Sequence, residues 1–371
     1  MTFDMSKLKK EEQAIFRLRE LYGRYGYSQY KMSKFEEYDL YVRNKNFLIS
    51  DSVITFTDTN GKLLALKPDV TLSIVKNSKD APGQVQKLYY NENVYRISGR
   101  SQSYKEIMQV GLECIGDIDT YCIGEVLSLA CQSLGAIEEN YILSVSHVGL
   151  LSLVLDRIGI SQKSRRSLLE CVAQKNTHEA ELLCQTEGLS DQSIALLHGL
   201  TDCSGDVISA FQRLYALQAD EEWQSTVRAF EESVAGLPPE HLRIDFSVIN
   251  DLRYYNGTVF QGYVAGVPER ILSGGQYDNL MHRMEKKAGA IGFAIYLDRL
   301  ESLDTEKAQY DVDTVLLYGD GIAPTQVRST VEELTQRGLR VLAQKSIPEK
   351  LRYRQLLRIT ESGVQTLETN A

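Results

Sequence analysis

The sequence predicts an α+β protein: an antiparallel sheet flanked by helices, interrupted by a helical insertion and followed by a short C-terminal α/β domain. Three observations predict it. Short β-prone runs dominate residues 47–115 and return at Leu242-Arg243-Ile244-Asp245-Phe246. Between about 149 and 238 strand patterns vanish and apolar residues recur at helical spacing. From Asp311 strand alternates with helix, the pattern of a small α/β unit. These shifts divide the chain into a core (1–148 and 239–308), an insertion (149–238) and a C-terminal domain (309–371).

Taken in order, the segment from Leu8 to Tyr25 places Ala14, Ile15, Leu18, Leu21 and Tyr22 on one helical face, and Gly23 and Gly26 end it. Phe47-Leu48-Ile49, Val53-Ile54-Thr55-Phe56 and Leu63-Leu64-Ala65-Leu66 read as strands. Asp58-Thr59-Asn60-Gly61 joins the last two as a hairpin turn, because Asn-Gly tolerates positive φ. Pro68-Asp69-Val70-Thr71 starts a helix: proline suits a first turn, and an aspartate there faces the positive end of the dipole.

Gln86 to Val94 and Glu106 to Ile115 form a long hairpin closed by a polar loop at Ile97 to Tyr104. Gly124 to Leu134 is helical, and Tyr141 to Val145 is a strand. The insertion carries Leu151 with Leu155, Leu168-Leu169, Ala180 with Leu183, and Trp223 with Val227, and Leu237-Pro238-Pro239 closes it. In the last domain Thr314 to Tyr318 and Leu339 to Leu342 are strands around a helix from Pro324 to Gln336. A second helix is expected from Pro348, then one more strand at Val364 to Leu367.

At 371 residues the chain can bury a sizeable core, and a composition 43% hydrophobic and 25% charged is that of a globular protein without low-complexity tracts. No apolar run approaches the roughly 18 to 20 residues of a membrane helix, and Met1 to Lys10 is polar. The reading is cytoplasmic, with no membrane partner. Six cysteines without a CxxC pair and five scattered histidines give no zinc spacing, so no metal and no cofactor are expected. A net charge of −9 argues against a broad nucleic-acid surface.

Four blocks carry candidate chemistry. Leu66-Lys67-Pro68-Asp69-Val70-Thr71 sets a carboxylate and a hydroxyl at a helix start, and from local sequence alone the helix-cap reading is the favoured one. In the second block, Arg96 brings a planar fork suited to a carboxylate. Gln109 and Glu113 follow on one face of a strand, although Glu113 alone also reads as a surface ion pair. The third is Val248-Ile249-Asn250-Asp251-Leu252-Arg253-Tyr254-Tyr255-Asn256-Gly257-Thr258-Val259-Phe260, with twin tyrosines before a glycine turn. The fourth joins Ser273-Gly274-Gly275-Gln276-Tyr277-Asp278, a pocket wall or a simple turn, to Tyr296-Leu297-Asp298-Arg299-Leu300.

Together these blocks, spread over roughly residues 10 to 300, resemble the class II core of histidyl-tRNA synthetases. The resemblance implies that Asp69 and Thr71 hold an amino acid's ammonium group, that Arg96 clamps its carboxylate, and that Gln109 and Glu113 read the amino group and imidazole. Tyr254, Tyr255 and Gly274 complete the histidine-binding set that it implies. The chain departs from the pattern where ATP would be handled. Asn250 stands at the arginine position of the signature and Arg253 at its acidic position. Ser98 replaces the adenine-contacting glutamate, Tyr296 the first glycine of motif 3, and Gln276 a common arginine. Loss of one positioned cation typically costs about 100- to 1000-fold in rate.

Retained histidine contacts beside lost ATP contacts are similar to the synthetase-like regulatory subunits of short-form ATP phosphoribosyltransferases. That resemblance implies a noncatalytic chain required by the short catalytic subunit, a homodimer within a hetero-octamer, and L-histidine as feedback effector, without tRNA. It places homodimerisation near Phe35 to Tyr41. The alternatives are a histidyl-tRNA synthetase, or a synthetase paralogue with another acceptor.

Overall fold

The computed structural model describes residues 8–44, 53–79, 83–97, 103–218, 220–249, 254–303, 309–360 and 362–370. Two compact units divide the chain, Met1–Leu303 and Asp304–Ala371. The first opens with α1 (Lys10–Arg24), β1 (Ser28–Gln29), β2 (Phe35–Glu37), α2 (Tyr38–Arg43), β3 (Thr55–Thr57), β4 (Leu63–Leu66) and α3 (Thr71–Asn77). The long hairpin follows as β5 (Val85–Ile97) and β6 (Tyr104–Gly116), then α4 (Thr120–Ile137) and β7 (Tyr141–His147). The strand expected at Phe47-Leu48-Ile49 lies outside the described residues.

Six helices come next: α5 (Val148–Ile158), α6 (Gln162–Ala173), α7 (Thr177–Thr186), α8 (Asp191–Thr201), α9 (Val207–Leu217) and α10 (Glu221–Val234). The sequence writes their starts plainly. His147, Ser161, Asn176, Ser190, Asp206 and Asp220 each accept a backbone N–H of the first turn through the side chain. The chain returns as β8 (Leu242–Ile244), β9 (Thr258–Val264), β10 (Leu272–Gln276), α11 (Asp278–Arg283) and β11 (Gly289–Tyr296).

An eight-stranded sheet runs β1-β5-β6-β11-β10-β9-β7-β8, parallel only in its two outermost pairs and antiparallel within. A three-stranded sheet, β2-β4-β3, contains the hairpin expected around Gly61, whose φ is 79°. The period-two alternation of the large sheet gives it two different faces. Leu112, Cys114, Phe293 and Ile295 point to one, where α1, α4 and the insertion helices share a single apolar core. Leu88, Tyr90, Val94, Ile115 and Ala290 point to the other, under Tyr41, Val70, Leu72 and Tyr277.

α4 alone among the described helices is long and apolar enough to cross a membrane by length and composition, with mean hydropathy 1.2 over 18 residues. Inspection of the sequence for apolar runs passes over it. Val126, Leu127, Leu129, Ala130 and Leu134 are fully buried in the core, which accounts for its apolar character.

The second unit holds β12 (Val312–Leu317), α12 (Pro324–Gln336), β13 (Val341–Gln344), β14 (Tyr353–Thr360) and β15 (Gly363–Thr369), in a sheet of order β13-β12-β14-β15. The helix expected from Pro348 does not form. Lys350 takes a left-handed φ of 65° that ends any helical turn, and the chain passes into β14, parallel to β12 and antiparallel to β15.

Candidate functional site

The site lies on the sheet face beneath Tyr41 and Tyr277, at the middle of β6. Glu113 is only 2% exposed, and its two carboxylate oxygens have separate donors. Thr71 Oγ1 donates to Oε1 at 2.7 Å, and the Tyr277 hydroxyl donates to Oε2 at 2.5 Å. Glu113 thus ties the start of α3 to the end of β10, which lie about 200 residues apart in the chain. Burial raises its pKa to about 8, the two hydrogen bonds oppose that rise, and the nearby Asp69 carboxylate adds to it.

Asp69 is also buried, and its Oδ1 accepts the Leu72 N–H at 3.0 Å in the first turn of α3. The capping reading of this aspartate therefore holds. Burial comes first among the causes that raise its pKa, with Arg96 among the groups pulling it back. One residue thus serves as a helix cap and also supplies a carboxylate to the site.

Arg96 ends β5 on the same face, its Nε donating to the Pro68 carbonyl at 3.0 Å. Its Nη2 is buried and has no hydrogen-bond partner among the described residues. Gln109, opposite Glu92 on β5 and Tyr296 on β11, is 2% exposed, and its Nε2 likewise has no partner among the described residues. Two buried donors left over beside two buried carboxylates are costly unless a ligand meets them.

Tyrosine rings wall the site. The Tyr254 and Tyr255 ring centroids lie 4.5 Å apart, and Tyr254 lies 5.7 Å from Tyr277. The loop that presents them is pinned by Asn256, which exchanges two hydrogen bonds with Asp278, and by Gln276 Oε1, which accepts the Thr258 N–H at 2.8 Å. Gln276, at the position where a cation is common in the resembling family, here serves the backbone.

Seven of the eight residues expected in the pocket converge on this face. Gly274 is the exception. A side chain there would meet Gly292 O, Phe293 Cβ and Phe260 on the opposite, core face, because a single residue step along a strand reverses direction. Its neighbour Gly275 faces Tyr255 instead. Sequence reasoning assigns no individual role to Tyr277, which lies within the fourth block, nor to Tyr90, Tyr41 and Gly292. Tyr277 directly follows the Gly274-Gly275-Gln276 run, a signal that could have found it. Tyr90, near Glu113 and Asp69, and Tyr41, near Asp69, are fully buried and carry no local mark.

Toward the far end of β11 the face is closed by Tyr296. Its ring lies 4.6 Å from the Arg299 guanidinium, which also pairs with Glu269 and donates to the Arg270 carbonyl. Arg299 is thereby engaged within the protein. Asn250, Arg253 and Ser98 lie outside the described residues.

Comparison with known proteins matches residues 3–300 to the histidyl-tRNA synthetase family. The chain is 25% identical over 303 residues to the ATP phosphoribosyltransferase regulatory subunit of Oceanobacillus iheyensis, covering 80% of this chain and 74% of that one. It is 26% identical over 313 residues to the histidine–tRNA ligase of Methanocaldococcus jannaschii, covering 81% and 74%. Among solved structures it resembles an ATP phosphoribosyltransferase regulatory subunit/histidyl-tRNA synthetase from Bacillus halodurans, with TM-score 0.76, 21% identity and coverage of 94% and 93%. It also resembles a chain of the ATP phosphoribosyl transferase (HisG:HisZ) complex from Thermotoga maritima, with TM-score 0.61, 19% identity and coverage of 80% and 98%. At those two identities the likeness is one of fold.

Proposed function

The chain belongs to the histidyl-tRNA synthetase family, and from that premise we propose that it is a noncatalytic regulatory subunit of a short-form ATP phosphoribosyltransferase that senses histidine. The observation that carries the reading is the contrast within one sheet face. Beside Glu113 stand buried donors and acceptors that match a histidine, whereas further along Tyr296 fills the surface and holds Arg299. The ligand's ammonium group meets Asp69 and Thr71, its carboxylate meets Arg96, and its imidazole meets Glu113 between Tyr254, Tyr255 and Tyr277. Gln109 supplies the remaining polar contact. A regulatory role also agrees with the names of relatives such as the Oceanobacillus iheyensis protein.

Allosteric control requires that histidine bind one state of the complex more tightly than the other. The partner is the short catalytic subunit, in a cytoplasmic hetero-octamer that contains this chain as a homodimer and no tRNA. We place the dimer contact near Phe35 to Tyr41, where Phe35 is 45% exposed and stands edge-on to the 39% exposed Phe56 at 5.5 Å.

The test is phosphoribosyl-ATP formation by a short-form catalytic subunit from the same source, with and without this chain, as histidine is titrated. Activity that needs the chain and falls with histidine supports the reading; no effect on rate or histidine sensitivity sinks it. Relatives named histidine–tRNA ligase motivate a second reading, a synthetase or a paralogue with another acceptor. Histidine-dependent pyrophosphate exchange would reveal that activity.

A further inference from the structure

Away from the sheet pocket, a cavity of about 210 Å³ opens between α6, α7, α8 and the turn after β8. Its buried floor is apolar, made by Val172, Ala180 and Leu197. Its rim brings both signs of charge together. Lys175, exposed in the α6–α7 turn, pairs at 2.8 Å with Asp245 from the turn after β8. Thr177, the first residue of α7, lines the same rim, so the Thr177 and His178 N–H groups of that helix's first turn lie near the lysine, while Asn176 caps the Glu179 N–H at 3.2 Å.

We propose that this cavity is a second small-molecule site, taking a zwitterionic α-amino acid with an apolar side chain. The carboxylate meets Lys175 and the first turn of α7, the ammonium meets Asp245, and the side chain fills the floor. The lysine end of this ion pair is open to water and can turn to a ligand, whereas Asp245 is held in place by the Ser247 N–H and hydroxyl on Oδ1 and presents Oδ2 to the cavity. The volume is below that of drug-sized sites, which restricts the ligand to a small metabolite.

The site also neighbours the sheet pocket through one backbone turn and a packed side chain. The backbone carbonyl of Asp245 accepts the Val248 N–H at 3.0 Å, and Val248 packs with Val148, Val259 and Tyr255. The carboxylate that an occupant would meet thus sits in the same turn as Val248, which packs on Tyr255. The binding site itself is independent of the function assigned to the sheet pocket.

Calorimetric titration of the full chain tests it with L-leucine, L-phenylalanine and two analogues that keep one charge each, isoamylamine and 4-methylvalerate. The expected result is saturable binding of one L-leucine or L-phenylalanine per chain, at least about tenfold tighter than either analogue. It should be unchanged in Glu113→Gln and weakened about tenfold in Lys175→Met, whose exposed position spares the fold. Ala180→Phe, which fills the floor, should abolish it. No saturable binding below about 10 mM, an affinity too weak to matter, overturns the proposal. So does binding that Glu113→Gln removes and Lys175→Met leaves intact, since the ligand then sits in the sheet pocket.

Discussion

Glu113 and Gly292 stand directly opposite each other on β6 and β11, and the carboxylate occupies the space a side chain at 292 would need. A Cβ there would lie 1.8 Å from Glu113 Oε2 and 2.4 Å from the Leu112 carbonyl oxygen. The glycine is therefore what lets the buried acid lie flat against the sheet. Gly292→Ala should displace the carboxylate, weaken histidine binding by at least tenfold and destabilise the fold by about 1–3 kcal/mol through overpacking. Gly23→Ala is the contrast, because a Cβ there meets nothing within 4 Å inside α1. It should raise stability by about 0.5–1 kcal/mol. Thermal unfolding and calorimetric titration of the two variants would check both statements.

The pH dependence of stability follows from the same acid. Burial lifts the Glu113 pKa to about 8 from an ordinary 4.5. A group whose pKa is raised in the folded state contributes stability that is complete below its unfolded pKa and lost as pH rises through the folded one. Ligand-free protein should therefore lose stability between about pH 4.5 and about 8, and Glu113→Gln should flatten that slope by up to one proton. Urea unfolding across this range measures it. A slope unaffected by the substitution would mean that Glu113 is already ionised at low pH in the free protein.

Histidine binding should exchange protons in a way that changes sign. If the bound state pairs an ionised Glu113 with an imidazolium, binding near pH 7 only moves a proton from the acid to the ring. Below the ordinary imidazole pKa of about 6.5 both partners begin protonated, so binding releases a proton; above about 8 neither does, so binding takes one up. Affinity should peak between these values. Titration calorimetry in buffers of different ionisation enthalpy counts the protons directly, and an exchange of one sign throughout would exclude the pairing.

Tyr277→Phe removes the 2.5 Å hydrogen bond to Glu113 Oε2 and leaves the ring in place. That bond favours the ionised acid, so its loss should push the Glu113 pKa further up and shift the affinity maximum to higher pH. A hydrogen bond to a charged group contributes about 1.5–3 kcal/mol, and histidine affinity should fall by roughly 10- to 100-fold. A loss of affinity with an unmoved pH profile would show that Tyr277 acts by packing alone.

Much of this architecture is legible in the sequence because local chemistry and fold agree. The apolar stripe of α1, the Asn60-Gly61 turn and the Pro324 start of α12 follow from residues within a turn of one another. Alternation along β6 puts Gln109 and Glu113 on one face by their even spacing alone. The same rule applied to β10 selects Gly275 over Gly274. The helix expected from Pro348 fails because proline marks a permitted start, whereas the left-handed Lys350 and the strand pairing of β14 are decided by partners elsewhere in the chain. Tyr41 and Tyr90 are illegible for a similar reason: their place beside the acids comes from sheet packing and not from sequence spacing.

The sharpest test of a noncatalytic role is at Tyr296 and Arg299. Tyr296 is 7% exposed, and its ring stacks with Arg299 at 4.6 Å while Glu269 pairs with the guanidinium Nε and the Arg270 carbonyl accepts from Nη1. Replacing the ring by the glycine of the resembling family removes a buried aromatic and the stacking together. Tyr296→Gly should therefore cost about 3–5 kcal/mol of stability. It should not confer adenylation, because the sequence still has Asn250 and Ser98 where a phosphate-facing cation and an adenine contact would stand. Histidine-dependent pyrophosphate exchange should stay at background in both the natural protein and the variant. Exchange by the natural protein would overturn the regulatory reading, since Tyr296 would then be compatible with a working ATP site. Exchange by the variant alone would identify this one ring as the block and would leave Asn250 and Ser98 without the consequence assigned to them.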